Sequence, residues 1–150
     1  MDKPLKPNAI DDIQSYIAAL DAAGELHRVK AEVDWNYELC HISKVNEEQK
    51  GPALLYENVK DNTIPVFTSA FTTKERLAIA LEQDPGLTMS ELSQKWMELT
   101  TQGLIPPEYV DDVPVMENQI TGKDIDLNNF PVPYFYPDDG GRFFVTSGYL

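Results

Sequence analysis

Three prolines within seven positions, Pro131, Pro133 and Pro137, limit how this chain can fold more than any other feature. Each ring fixes φ and removes a backbone donor, so the run before residue 138 is extended rather than helical. Asp138-Asp139-Gly140-Gly141 follows as a tight-turn signal, because glycine takes positive φ at little steric cost. Arg142-Phe143-Phe144-Val145-Thr146 then reads as a strand from its aromatic and β-branched content. The sequence stops at Leu150, a few residues into that strand. Its partners are expected from earlier segments, or this polypeptide is the front part of something longer.

The preceding segments alternate in type. Asp11 or Asp12 can cap a helix with Ile13, Tyr16, Ile17 and Leu20 on one face, and Gly24 stands where a helix-ending glycine belongs. Leu26 to Val33 reads as a strand with one wet face, and Tyr37 to Gln49 as a second helix stopped before Gly51-Pro52. Ala53 to Val59 and Ile64 to Thr68 form two short strands around a polar turn, a hairpin pattern. Thr72 or Thr73 starts a helix to Gln83, broken by Asp84-Pro85-Gly86. Thr88-Met89-Ser90-Glu91 has capping-box spacing ahead of a helix bearing Leu92, Trp96 and Leu99. Val113 to Ile120 reads as extended, Thr121-Gly122 as a turn, and Ile125 to Asn129 leads into the prolines. This order predicts an α+β fold, with a boundary near Pro106 to Pro114.

Taken as an ordered set, several of these segments resemble the UbiD-type reversible decarboxylases. The likeness rests on Phe130-Pro131-Val132-Pro133, Asp138-Asp139-Gly140-Gly141-Arg142 and Thr146-Ser147-Gly148. Upstream it takes in Gly24-Glu25-Leu26-His27-Arg28-Val29 with Glu32-Val33-Asp34, and Gly51 to Val59 with Ile64-Pro65-Val66. The resemblance implies an N-terminal αβ domain over residues 1–112 and the incomplete start of a flavin-binding split β-barrel over 113–150. It implies a non-oxidative decarboxylase of an aromatic or α,β-unsaturated acid, using prenylated FMN with manganese or magnesium and potassium. A UbiX-type flavin prenyltransferase would supply the cofactor. The family's Glu-Arg-Glu set and its Asn, His and Glu metal ligands lie beyond the segment matching Thr146-Ser147-Gly148. No catalytic, cofactor-binding or metal-binding residue is therefore assigned to this chain, and the chain alone is expected to be structural, without cofactor.

Composition narrows the remaining classes. Twenty-five acidic against 12 basic residues give a net charge of −13, which disfavours nucleic acid and anionic membrane surfaces. No apolar run approaches the roughly 20 residues of a membrane helix. The N-terminus, Met1 to Pro7, lacks an apolar signal core, so a cytoplasmic protein is expected. The lone Cys40 fits a reducing compartment.

Other candidate sites have ordinary structural readings. Cys40 and His41 are neighbours on a helix and point about 100° apart, so they are no ready nucleophile and base. Cys40 reads as a small buried hydrophobe, and His27 and His41 as surface or strand-edge residues. Asp111-Asp112 and Asp138-Asp139 read as turn-forming pairs rather than acid–base pairs across a cleft. Arg142 could grip a carboxylate or phosphate with both prongs, although a salt bridge to Asp138 or Asp139 is the favoured reading. Tyr134, Phe135, Tyr136, Phe143, Phe144 and Tyr149 could line a flat-ligand site, but core or subunit interface is favoured. A homo-oligomer or the remainder of the decarboxylase is the expected partner. The alternative is a stand-alone binding or assembly module that self-associates through its terminal strands. A small hydrolase using Cys40 or His27 has no supporting spacing.

Overall fold

Asp12 starts the first helix with a reciprocal cap. Its carboxylate accepts from the Ser15 amide at 2.7 Å, and Ser15 Oγ accepts from the Asp12 amide at 3.1 Å. Two backbone donors that a helix start leaves orphaned are thereby satisfied. The computed structural model describes residues 10–102, 106–107, 109 and 113–143. Within them α1 (Ile13–Ala22) is followed by β1 (Leu26–Val29), α2 (Glu38–Glu48), β2 (Ala53–Tyr56) and β3 (Val66–Thr68). Then come α3 (Lys74–Ala80) and α4 (Met89–Thr101). Three single 3-10 turns, Pro114–Met116, Gly122–Asp124 and Leu127–Asn129, lead to the proline run.

The sheet has the order β1-β2-β3, with β1 parallel to β2 across the α2 connection and β3 antiparallel to β2. All four residues of central β2 are buried, as expected of a strand covered on both faces. Alternation divides them between two cores. Ala53 packs with Tyr16 and Leu20 of α1, backed by Phe67, Ile79 and Ala80. Leu54 and Tyr56 pack with Leu39 and Cys40 of α2 and with Val33 and Val59. Helices therefore cover both sides of a small mixed sheet, and the expected α+β class holds, hairpin included.

Differences from expectation are local. The first strand stops at Val29 rather than Val33, because Val33 bridges Val59 alone after the break at residues 30–32. The helix expected to reach Gln83 ends at Ala80, where Glu82 takes a left-handed φ of 54°. Residues 113–120 are not extended throughout: the fixed φ of Pro114 suits a tight helical turn, and the Met116 amide reaches the Val113 carbonyl at 3.0 Å. The expected cap at Thr88 forms, its amide donating to Glu91 Oε2 at 2.8 Å. The Asp111-Asp112 pair lies outside the described residues.

Candidate functional site

The proline run does not lie free. Prolines at 131, 133 and 137 carry no N–H, and the Val132 amide is taken by the Phe130 carbonyl, so Tyr134 is where the run can pair through its backbone. Its amide donates to the Trp35 carbonyl at 3.1 Å, and its carbonyl accepts from the Tyr37 amide at 3.0 Å. This isolated parallel bridge, centred on Asn36 opposite Tyr134, joins residues about a hundred positions apart. The Tyr37 and Tyr134 rings meet at 5.0 Å, and Asn62 Nδ2 donates to the Asn129 carbonyl at 3.0 Å. Residues 129–142 thus form a strap across the start of α2.

Its turn is self-made. The Tyr136 amide donates to Asp139 Oδ2, the Asp139 amide returns to the Tyr136 carbonyl, and Tyr134 Oη donates to the Asp139 carbonyl at 2.7 Å. Asp139 is a turn-former, as the sequence indicates. Gly141 supplies the φ of +153° that L side chains rarely adopt.

Arg142 departs from its favoured reading. Rather than pairing with Asp138 or Asp139, its guanidinium donates from Nε to the Val132 carbonyl at 2.6 Å and from Nη2 to the Phe130 carbonyl at 2.8 Å. Its Cζ lies 4.1 Å from the ring centroid of Trp35, a cation–π contact. The extended strap explains the preference: two carbonyls two residues apart on one edge match the planar fork, whereas Asp139 is held within its own turn. Arg142 is described as irregular backbone; the strand expected from it falls mainly on 144–146, outside the described residues.

Beneath the strap lies a cleft of about 280 Å³, with Leu39, Cys40 and Ser43 of α2 on one side and Pro133, Phe135 and Tyr136 on the other. Cys40 is 7% exposed, the small buried side chain expected of it. Burial, with a smaller contribution from the Asp139 carboxylate, pushes its thiol up to about 11. It is therefore an inert thiol rather than a nucleophile at neutral pH. Ser43 Oγ shares hydrogen bonds of 2.9 Å with Tyr56 Oη and with Thr68 Oγ1, closing the floor. His27 and His41 are exposed, also as expected. Of the aromatic cluster, Tyr134 is half-buried against Tyr37, while Phe135, Tyr136 and Phe143 are exposed; Phe144 and Tyr149 lie outside the described residues. Among the described residues, no three His, Cys, Asp or Glu side chains gather as a metal ion requires. No described helix is long and apolar enough to cross a membrane.

Trp35, Asn36 and Tyr37 are the strap-holding positions that reading the sequence misses. Nothing in their spacing marks them; a retrospective signal is an aromatic-rich stretch, Trp35-Asn36-Tyr37, with too few apolar neighbours to make a strand.

Comparison with known proteins agrees with this geometry. Residues 17–96 match the model of the 3-octaprenyl-4-hydroxybenzoate carboxy-lyase N-terminal domain, and residues 108–150 match that of the same enzyme's Rift-related domain. An uncharacterized protein of Synechocystis is 31% identical over 91% of the chain, which spans 31% of that relative. Vanillic acid decarboxylase of Sedimentibacter hydroxybenzoicus shares the fold, with a TM-score of 0.82 at 23% identity over 89% of this chain and 29% of its own. The UbiD-class enzyme HmfF of Pelotomaculum thermopropionicum, solved with FMN, gives 0.70 at 28% identity over 86% of this chain and 28% of its own. The chain thus spans less than a third of the proteins it resembles. With its α1-to-α4 body matched by one model of the family and its strap by the next, the chain belongs to the UbiD carboxy-lyase family.

Proposed function

We propose that this chain is the N-terminal segment of a UbiD-type reversible, non-oxidative decarboxylase of an aromatic or α,β-unsaturated carboxylic acid, and that its own role is structural. The observation that carries this reading is the Asn36–Tyr134 bridge, which ties the stretch matched by the Rift-related model onto the stretch matched by the N-terminal model. The proposal takes 1–112 as the N-terminal αβ domain and 113–150 as the start of a flavin-binding split β-barrel; the change from one family match to the next, between 96 and 108, lies just ahead of that boundary.

The relative HmfF, solved with FMN and, in an evolved dimeric form, with prFMN, supports prenylated FMN as the whole enzyme's cofactor. Manganese or magnesium, potassium and a UbiX-type prenyltransferase complete the proposal. The described residues do not fit that group: they offer no three-ligand metal cluster, and the cleft under the strap, although His41, Lys44 and Glu47 reach its edge, presents mostly apolar surface. No chemical step is assigned to them. The unpaired, buried Cys40 supports a cytoplasmic setting.

A chimaera tests the reading. Replacing the corresponding N-terminal part of HmfF with this chain is expected to preserve assembly and prFMN retention. The chain alone is expected neither to quench flavin fluorescence saturably at high micromolar protein nor to release carbon dioxide from such acids. Release by the chain alone would overturn the structural role. A chimaera that fails to assemble, beside a chain that dimerises through its terminal segment, would favour a self-associating module instead.

A further inference from the structure

Arg142 joins the two ends of the strap to each other and to the Trp35 stretch. Its two donors hold the carbonyls of Phe130 and Val132, its flat face covers Trp35, and it closes the turn that begins at Tyr136. Besides this residue, the ties of the strap to the body include an isolated backbone bridge, the Tyr37–Tyr134 ring contact and the Asn62 amide. Phe135 and Tyr136 of the strap are 45% and 53% exposed. A segment that pairs with the body through an isolated bridge belongs toward the low-stability end of a structure and can open without the core. The sheet beneath it, with β2 fully buried, is at the opposite end.

We propose that Arg142 is a positioning residue: it clasps residues 129–142 shut over the Cys40 cleft and so sets where the chain leaves the N-terminal body, and the clasped strap releases as a unit while that body stays folded. The inference rests on the two-domain reading only for its meaning, since the opening belongs to the 150-residue chain itself. Lysine cannot replace the clasp. A single ammonium keeps the charge over Trp35 but cannot hold two carbonyls with a planar fork.

Cys40 provides the readout. It is the chain's single cysteine, it lines the cleft opposite Pro133, Phe135 and Tyr136, and Asp139 of the strap adds to its suppression. Opening both uncovers the thiol and lets it ionise more readily, and the thiolate is the reactive form.

The experiment measures the reaction of Cys40 with 5,5′-dithiobis(2-nitrobenzoate) at fixed mildly alkaline pH, with far-ultraviolet circular dichroism recorded on each sample. The Arg142→Gln variant is expected to react at least about tenfold faster than wild type with its helical signal unchanged, and Arg142→Lys to fall between them. A folded Arg142→Gln protein reacting at the wild-type rate overturns the clasp. Hydrogen exchange on the unaltered chain provides a second measurement that needs no variant. The Tyr37 and Tyr134 amides are expected to exchange together, and faster than the β2 amides of Leu54 to Tyr56. Exchange of all of them only through one global event would overturn unit release, whatever the variants do. Flavin binding enters neither measurement, so failure of the clasp and failure of the decarboxylase reading are separately visible.

Discussion

Arg76 is fully buried, and its charge is met from three directions. Nη1 donates to Glu25 Oε2 at 3.1 Å and to the Gly51 carbonyl at 3.0 Å, while Nη2 donates to Thr72 Oγ1. Its Nε has no hydrogen-bond partner among the described residues. The side chain ties the start of α3 to the loops that enter β1 and β2, a role no local sequence pattern reveals. Glu25 keeps 31% of its side-chain surface in water, so it survives the loss of Arg76 by rehydrating. The buried guanidinium has no such recourse. Glu25→Ala is therefore expected to destabilise by about 3 kcal/mol, and Arg76→Met by less, about 2 kcal/mol, in urea unfolding. The reverse order would mean that packing around Arg76, rather than charge, dominates the site.

At the scale of elements, three helices end alike. After α1, α2 and α3, residues 24, 50 and 82 take left-handed φ values of 74°, 54° and 54°, and the following amides bond back to the carbonyls of Leu20, Asn46 and Ala78. This is the Schellman geometry, and at the first of the three the residue is glycine. Lys50 has a Cβ where its conformation disfavours one. Lys50→Gly is expected to raise stability by about 1 kcal/mol, seen as a higher urea midpoint with an unchanged slope. An unaltered or lower midpoint would show that relief of strain is cancelled by the freer unfolded chain.

The same comparison shows what could be read from sequence. Asp12, Gly24, Thr88 and the proline run announce their local geometry because cap, turn and φ preferences are properties of one or a few adjacent residues. The helix-ending roles of Lys50 and Glu82 are set by what the next element requires and leave no compositional mark. Arg142 was legible as a two-pronged donor but not in its partners. The carbonyls it holds exist as a matched pair only once residues 130–132 are extended, and Trp35 arrives from the far end of the sequence.

For the whole molecule, pH sets the working range. The Ser15 amide on Asp12, Lys60 on Asp34, Lys74 on Glu75 and the Thr88 amide on Glu91 each hold a carboxyl below its ordinary value. Their contributions are complete above the unfolded carboxylate range and are lost as pH falls through the lowered folded values. Cys40 behaves oppositely on the alkaline side. Its folded value of about 11 lies above the ordinary 9.0, so the folded state keeps a proton that the unfolded state has lost, and stability drops between those two values. The loss approaches about 3 kcal/mol at the upper end. Burial raises Tyr16 and Tyr56 as well, adding a further loss above their ordinary 10.0. The melting temperature is therefore expected to hold level from about pH 5 to the ordinary thiol value and then decline. Cys40→Ala should lack the portion that begins near 9, and identical alkaline limbs would refute the assignment.

Tyr37 stands at the start of α2 with a left-handed φ of 69° and no side-chain cap, and its amide is satisfied by the carbonyl of Tyr134. A helix terminus and a distant segment thus share one hydrogen bond, and thermodynamic reciprocity makes that sharing symmetric. Whatever free energy the docked segment lends to the first turn of α2, the ordered turn returns in equal amount. Substitutions that firm or fray that turn should therefore be felt, undiminished, a hundred positions away in sequence.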